Sequence, residues 1–194
     1  MSELPPAPDP FAGYDAFLDV VRGHCATPSA RARLRRAVAA ATRPESVSGR
    51  RGTGDALHLL RGLAAESMHP ERKANYLLAA GIFACHPTST GSAEPAPARY
   101  AQGNLGAALG RAAHDGCVTS GRADKTMRLL TRKSLAGLRL ALPRVVRQLD
   151  PQLSGLDLAV VLSDLNGWPF RAGAISRRWW ESYAIAFPTV AQEN

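Results

Sequence analysis

Apolar residues recur along this chain at intervals of three and four and hardly anywhere at intervals of two, so the pattern predicts helices and no sheet. Phe17, Leu18 and Val21 share the inner face of a helix over Asp15–Cys25. The Thr27–Pro28 pair halts it, because proline disfavours helical geometry in the residue before it. Ser29 is placed to cap a helix over Ala30–Thr42 that stops at Arg43–Pro44. The glycines of Ser48-Gly-Arg-Arg-Gly-Thr-Gly54 predict a loop, with Thr53 or Asp55 opening a helix that carries Leu57, Leu60 and Leu63. Pro70 suits the first turn of a helix over Glu71–Cys85. A small-residue helix is expected over Ala101–His114, ended by Gly116, with Gly103, Gly106 and Gly110 permitting close helix packing. A long pattern then runs from Gly121 toward Leu149, with an interruption expected at Pro143, and two helices follow over Ser154–Leu165 and Ala172–Phe187.

The fold class is therefore all-α. Alanine and leucine dominate, and β-branched residues are sparse. Pro87–Pro97, with three prolines and no periodicity, is the best boundary. It divides the chain into a flexible N-terminus (1–13), a first helical unit (14–87), a Pro-rich linker (88–100), a second unit (101–187) and a tail (188–194).

Composition narrows the class. With 194 residues, 45% hydrophobic and 21% charged, the chain has ordinary globular content, which excludes wholesale disorder and collagen-like sequence. The start MSELPPAPDP lacks the charged and apolar regions of a signal peptide. The apolar run Tyr76–Cys85 falls far short of the roughly 20 residues a membrane helix requires. Three cysteines, Cys25, Cys85 and Cys117, suit a reducing compartment, and the cytoplasm is expected.

The net charge of +8 points to a polyanionic partner, nucleic acid before anionic membrane. Arginine makes up 21 of the 24 basic residues, a skew that GC-rich coding alone produces, so placement of the charge must decide. Arg122–Arg147 holds eight bases against one acid, Asp124, and Arg31–Arg51 holds seven arginines against Glu45. Taken as one continuous helix at 100° per residue from Lys125, Arg128, Arg132 and Arg139 fall at about 300°, 340° and 320°. Met127, Leu130, Leu138 and Ala141 fall opposite, so the helix buries one face and presents a row of cations suited to a phosphate backbone. A solvated charged face is the bland alternative, and the lack of interleaved acids counts against it.

No catalytic signature is present: the acids are scattered, and no Ser or Cys nucleophile has a motif around it. His24-Cys25, Cys85-His86 and His114-x-x-Cys117 lack zinc-ligand spacing, so no metal and no cofactor are expected. Gly49–Gly54 lacks the Gly-Lys-Ser/Thr of a nucleotide loop. Trp168, Trp179, Trp180 and Tyr183 are expected as core anchors, with base stacking as the minority reading.

An ordered series of segments resembles a known family. Ala32-Arg-Leu-Arg-Arg-Ala37 with Arg43-Pro-Glu45, Leu77-Leu-Ala-Ala-Gly-Ile-Phe-Ala-Cys-His-Pro87 and Asn104-Leu-Gly-Ala-Ala-Leu109 come first. The arginine-rich Lys125–Arg132, Leu138-Arg139 and Arg144-Val-Val-Arg-Gln-Leu149 follow. Leu162-Ser-Asp-Leu-Asn-Gly-Trp168 and Arg178-Trp-Trp-Glu-Ser-Tyr183 close the series. Together they resemble the CasB small subunit of the type I-E CRISPR surveillance complex, Cascade. The sequence departs from that pattern at Gly106-Ala107, where the family has Gly-Arg, and at Pro143.

The resemblance implies a non-catalytic protein of two packed helical bundles. Its implied partners are the other Cascade subunits and crRNA, a second copy of itself, and target and non-target DNA held in an R-loop without sequence specificity. The phosphate contacts it implies are Arg36, Lys125, Arg128, Arg132, Arg139 and Arg144, flanked by Arg33 and Arg122. The rivals are a stand-alone nucleoid- or RNA-binding protein, a scaffold whose arginines meet acidic subunit faces, and an enzyme built on zinc or on Cys117.

Overall fold

The computed structural model describes residues 9–43, 45–60, 68–86, 96–149 and 155–187, and every regular element among them is an α-helix. The predicted spacing appears at once in α1 (Ala12–Cys25), where Phe17, Leu18 and Val21 are the buried residues. The second predicted helix is two. α2 (Pro28–Arg35) and α3 (Ala37–Thr42) meet at Arg36, and α2 starts on Pro28 itself, with Thr27 and not Ser29 at its cap.

The glycine-rich segment expected as a loop is helical. α4 (Val47–Leu59) is capped by the Ser46 hydroxyl, which accepts from Gly49 N at 2.9 Å. Gly52 serves packing there: a Cβ on it would stand 2.2 Å from the Arg36 carbonyl oxygen, so only glycine lets α4 lie against the α2–α3 junction. Thr53 turns its hydroxyl back to Gly49 O, and Asp55 pairs with Arg36. Leu63, Pro44 and most of the expected linker lie outside the described residues, as do 1–8 and the tail 188–194.

α5 (Pro70–Cys85) is buried continuously from Asn75 to Ala84. A helix that is apolar on every side must be covered on every side. α1, α2, α3 and two C-terminal helices pack around it. The Phe17 and Tyr76 rings meet edge to face at 4.7 Å. Arg31 and Arg35 both donate Nε to Ala84 O, at 3.0 and 3.1 Å, supplying hydrogen bonds that the end of a helix leaves unmade.

α6 (Ala96–Gly103) occupies the end of the expected linker, and α7 (Leu105–His114) is separated from it by Asn104, whose side chain caps α7. Arg99 explains why α6 is ordered. It is buried, grips both oxygens of Asp15 at 2.6 Å and Asp157 at 2.7 Å, and lies 5.0 Å from the Phe11 ring. One guanidinium thus ties α6 to α1 and to the entry of the last helix, with the paired geometry a buried charge needs.

The long pattern from Gly121 to Leu149 breaks at residues 131–134 into α8 (Ser120–Leu130) and α9 (Leu135–Gln148), and Pro143 sits inside α9. Ser134 caps α9 through Gly137 N at 3.2 Å. The two helices expected at the end are one, α10 (Leu158–Ala186), kinked at Arg171 just after Pro169. α7 packs along α10 more closely than a side chain permits: a Cβ on Gly106 would stand 1.9 Å from Trp179 O. Buried apolar residues from Phe11 to Tyr183 form one continuous cluster through both halves, with α5 against α9 and α10.

A candidate nucleic-acid interface on α8 and α9

α8 buries Ala123, Met127 and Leu130, which leaves Arg122, Lys125 and Arg128 on its exposed side. Arg132 follows, exposed, in the turn before α9. α9 buries Leu135, Leu138, Leu142, Val145 and Val146 and exposes Arg144. Among the described residues the side chains of Arg122, Lys125, Arg128, Arg132 and Arg144 make no ion pair or hydrogen bond within the chain. The one acid of this stretch, Asp124, accepts from the Tyr183 hydroxyl at 2.6 Å. Burial and that carboxylate push the Tyr183 phenol upward, so it remains a donor.

Between the two helices lies an open groove of about 620 Å³, rimmed by Arg122, Lys125, Lys133 and Arg144 and lined by no carboxylate among the described residues. Leu129 and Leu140, 53% and 60% exposed, line it as well. Lys125, Arg128 and Arg132 line a shallower depression of about 400 Å³ beside α8, and Asp124 lines it with them. Cations held apart from any internal partner keep their field directed at solvent, where it concentrates polyanions.

Arg139 is elsewhere. It is 7% exposed, and donates Nε to Asn75 Oδ1 at 2.8 Å and Nη2 to Glu71 O at 3.1 Å, with the Glu71 carboxylate 3.8 Å away. Burial lowers its pKa, and Glu71 opposes that. The break at 131–134 is the physical reason: a projection carried through it loses phase, and the residue placed in the cationic row comes out among α9's buried positions. The same break brings Lys133 onto the groove rim, which the continuous projection put about 80° from Lys125. Arg33 is exposed, and Arg36 is half-exposed and bonded to Asp55 at 2.8 and 2.6 Å; neither lines the groove.

Trp168 and Trp179 are core anchors. Trp168 Nε1 donates to Lys133 O at 3.1 Å, and Trp179 Nε1 to Asp164 Oδ2 at 2.7 Å. Asp164 also accepts from the Tyr100 hydroxyl at 2.8 Å, and burial, opposed by these two donors, raises its pKa to about 6. Burial likewise pushes the Cys25 and Cys85 thiols up, against the pull of Arg31 and Arg35. Among the described residues no group of three or more His, Cys, Asp or Glu is placed to hold a metal ion, and no helix is long and apolar enough to cross a membrane.

A family model described as CRISPR-associated protein Cse2 (CRISPR_cse2) matches residues 30–183. Among solved structures, a chain of a CRISPR RNA-guided surveillance complex is similar at 23% identity and a TM-score of 0.66, covering 91% of this chain and 94% of that one. A chain of the pre-nicking form of such a complex gives the same values. A crystal structure of M. ruber CasB is similar at 20% identity and a TM-score of 0.66, covering 90% of this chain and 93% of that one. These likenesses carry the fold. No curated protein matches.

Proposed function

This chain belongs to the CRISPR-associated Cse2 family, and from that membership we propose that it is the non-catalytic small subunit of a type I-E Cascade, binding DNA without sequence specificity and stabilising the R-loop. Its partners in this reading are the other Cascade subunits and crRNA, a second copy of itself, and the target and displaced non-target strands, in the cytoplasm. The observation that carries the DNA-binding part is the set of five exposed cations, Arg122, Lys125, Arg128, Arg132 and Arg144, unpaired among the described residues and beside a groove whose described lining holds no carboxylate. Exchange of a DNA duplex for an RNA–DNA heteroduplex is nearly balanced in free energy, so a few phosphate contacts to the opened DNA are enough to tip it. Arginine forks match phosphate oxygens two at a time and read no base, which suits a strand of any sequence. Arg33 belongs to the proposed surface as an outlying contact. Arg36 is weaker there, because Asp55 already holds it, and Arg139 is a structural residue.

Capture of the tagged chain from its native host at mild salt, with mass spectrometry of co-eluting proteins and sequencing of bound RNA, tests the assignment. Cascade subunits together with repeat-derived guide RNA are the expected recovery. A clean preparation carrying only bulk nucleic acid would overturn it in favour of a stand-alone binder.

A further inference from the structure

A second concavity lies where α10 bends. It encloses about 500 Å³ between the start of α5 and the Pro169–Arg171 kink, and its lining includes Phe170, Arg171, Arg72, His69, Tyr14 and Asn166. Ser163, Asn166, Gly167 and Phe170 fall at helical spacing on one face of α10, so the helix presents them together. Phe170 is 86% exposed, the most exposed of the large apolar side chains among the described residues. A Cβ on Gly167 would stand 3.1 Å from Arg171 Nη2, so the Arg171 guanidinium folds back over that glycine.

The amide chemistry has a fixed direction. Arg139 has only donors to offer, so Asn75 must turn Oδ1 toward it, at 2.8 Å. The Asn75 Nδ2 then donates to Asn166 Oδ1 at 3.0 Å. Asn166 is left with its Nδ2, a buried donor with no acceptor among the described residues. A donor in that position is costly until something brings it an acceptor.

We infer that this pocket receives an unpaired nucleobase of a single strand, stacked on Phe170, with Arg72 and Arg171 on the flanking phosphates. The inference rests on the DNA-binding reading above and adds a preference for single-stranded over duplex nucleic acid. Three features favour a base. An exposed ring beside two guanidiniums fits a flat, anionic-backboned ligand, whereas an apolar protein side chain would leave both guanidiniums without an anion. Glu71, the acid in the lining, is engaged near Arg139. The pocket also adjoins the cationic row: Leu135, which lines it, directly follows the turn bearing Arg132 and Lys133, and Trp168 fastens that turn to α10. In a duplex the bases are stacked inward and cannot reach the ring.

The full chain is titrated with a fluorescent oligothymidylate and, at the same salt, with a duplex of equal length. Phe170→Ala should weaken single-strand binding about tenfold, the scale of one lost base–aromatic stack, and leave duplex binding unchanged. Phe170→Trp should restore it. Arg128→Glu with Arg132→Glu should weaken both. An unchanged single-strand affinity in Phe170→Ala, with wild-type binding intact, overturns the pocket alone, as does a loss of Cascade assembly without a loss of strand binding. A wild-type chain that binds neither probe overturns the interface reading and the pocket with it.

Discussion

Reversal of Arg128 and Arg132 to glutamate removes two of the five exposed cations of α8, α9 and the turn between them while touching nothing that holds the fold, since both side chains are exposed and neither has a partner among the described residues. A single strand held at these five cations, and too short to reach the Phe170 pocket, loses affinity with a slope of about −3.5 in log K against log salt, at about −0.7 per phosphate. Two fewer contacts reduce the slope to about −2.1. Between roughly 50 and 200 mM salt the native chain should weaken about 130-fold and the double variant about 20-fold. Glutamate at 128 also meets the negative end of α8, worth about 0.3–1 kcal/mol, so the Arg128→Gln, Arg132→Gln pair is the neutral control. Fluorescence anisotropy over a salt series reads the slope, and circular dichroism melting reads the fold. A double variant that melts like the native chain and keeps its slope refutes the placement. A flat response in the native chain refutes the electrostatic mechanism altogether.

Other consequences follow from the buried polar groups and the tight helix contact. Arg139→Gln should cost about 3 kcal/mol in urea denaturation, because Asn75 Oδ1 and Glu71 O lose their donor, yet leave the salt slope of strand binding untouched. Arg99→Ala should cost about 3–5 kcal/mol by stranding Asp15 and Asp157. Asp164 holds its proton more tightly in the folded chain, with a pKa of about 6 against 3.8, so its stability contribution grows as pH falls through 6 and levels off below 4. The difference between native and Asp164→Asn stability should therefore shift by about 2 kcal/mol between pH 7.5 and 4, and no shift would contradict the burial argument. Gly106→Ala should lower stability by about 2 kcal/mol or more, read by thermal melting, because α7 and α10 must part to admit the methyl.

The helical class and most buried faces were legible in the sequence because burial follows a local period: Phe17, Leu18 and Val21 on α1, and Met127 and Leu130 on α8, are where the spacing puts them. Helix ends were less legible, since caps compete with propensity. The Gly49–Gly54 stretch folds as helix because crossing the α2–α3 junction demands glycine, a tertiary requirement with no local signature. Lys125 and Arg128 come out together on the exposed side of α8 because they lie within one helix. Arg139 does not, because the turn at 131–134 resets the phase and because its partner Asn75 is 64 residues distant. Arg99 gathers Asp15 and Asp157 from both ends of the chain, a contact that only the fold creates. The pocket at Phe170 was hidden for the same reason: the kink that exposes the ring and the amide chain behind it come from three separate helices.

The most direct test of the account is the lifetime of the R-loop in a reconstituted complex, with the native subunit or with its Arg128→Glu, Arg132→Glu variant, followed by fluorescence of a base analogue in the non-target strand. The account predicts that the variant complex assembles on guide RNA as the native one does, and that its R-loop collapses about tenfold faster, the equivalent of ~1.4 kcal/mol of lost phosphate contact. Equal lifetimes in two fully assembled complexes would contradict it.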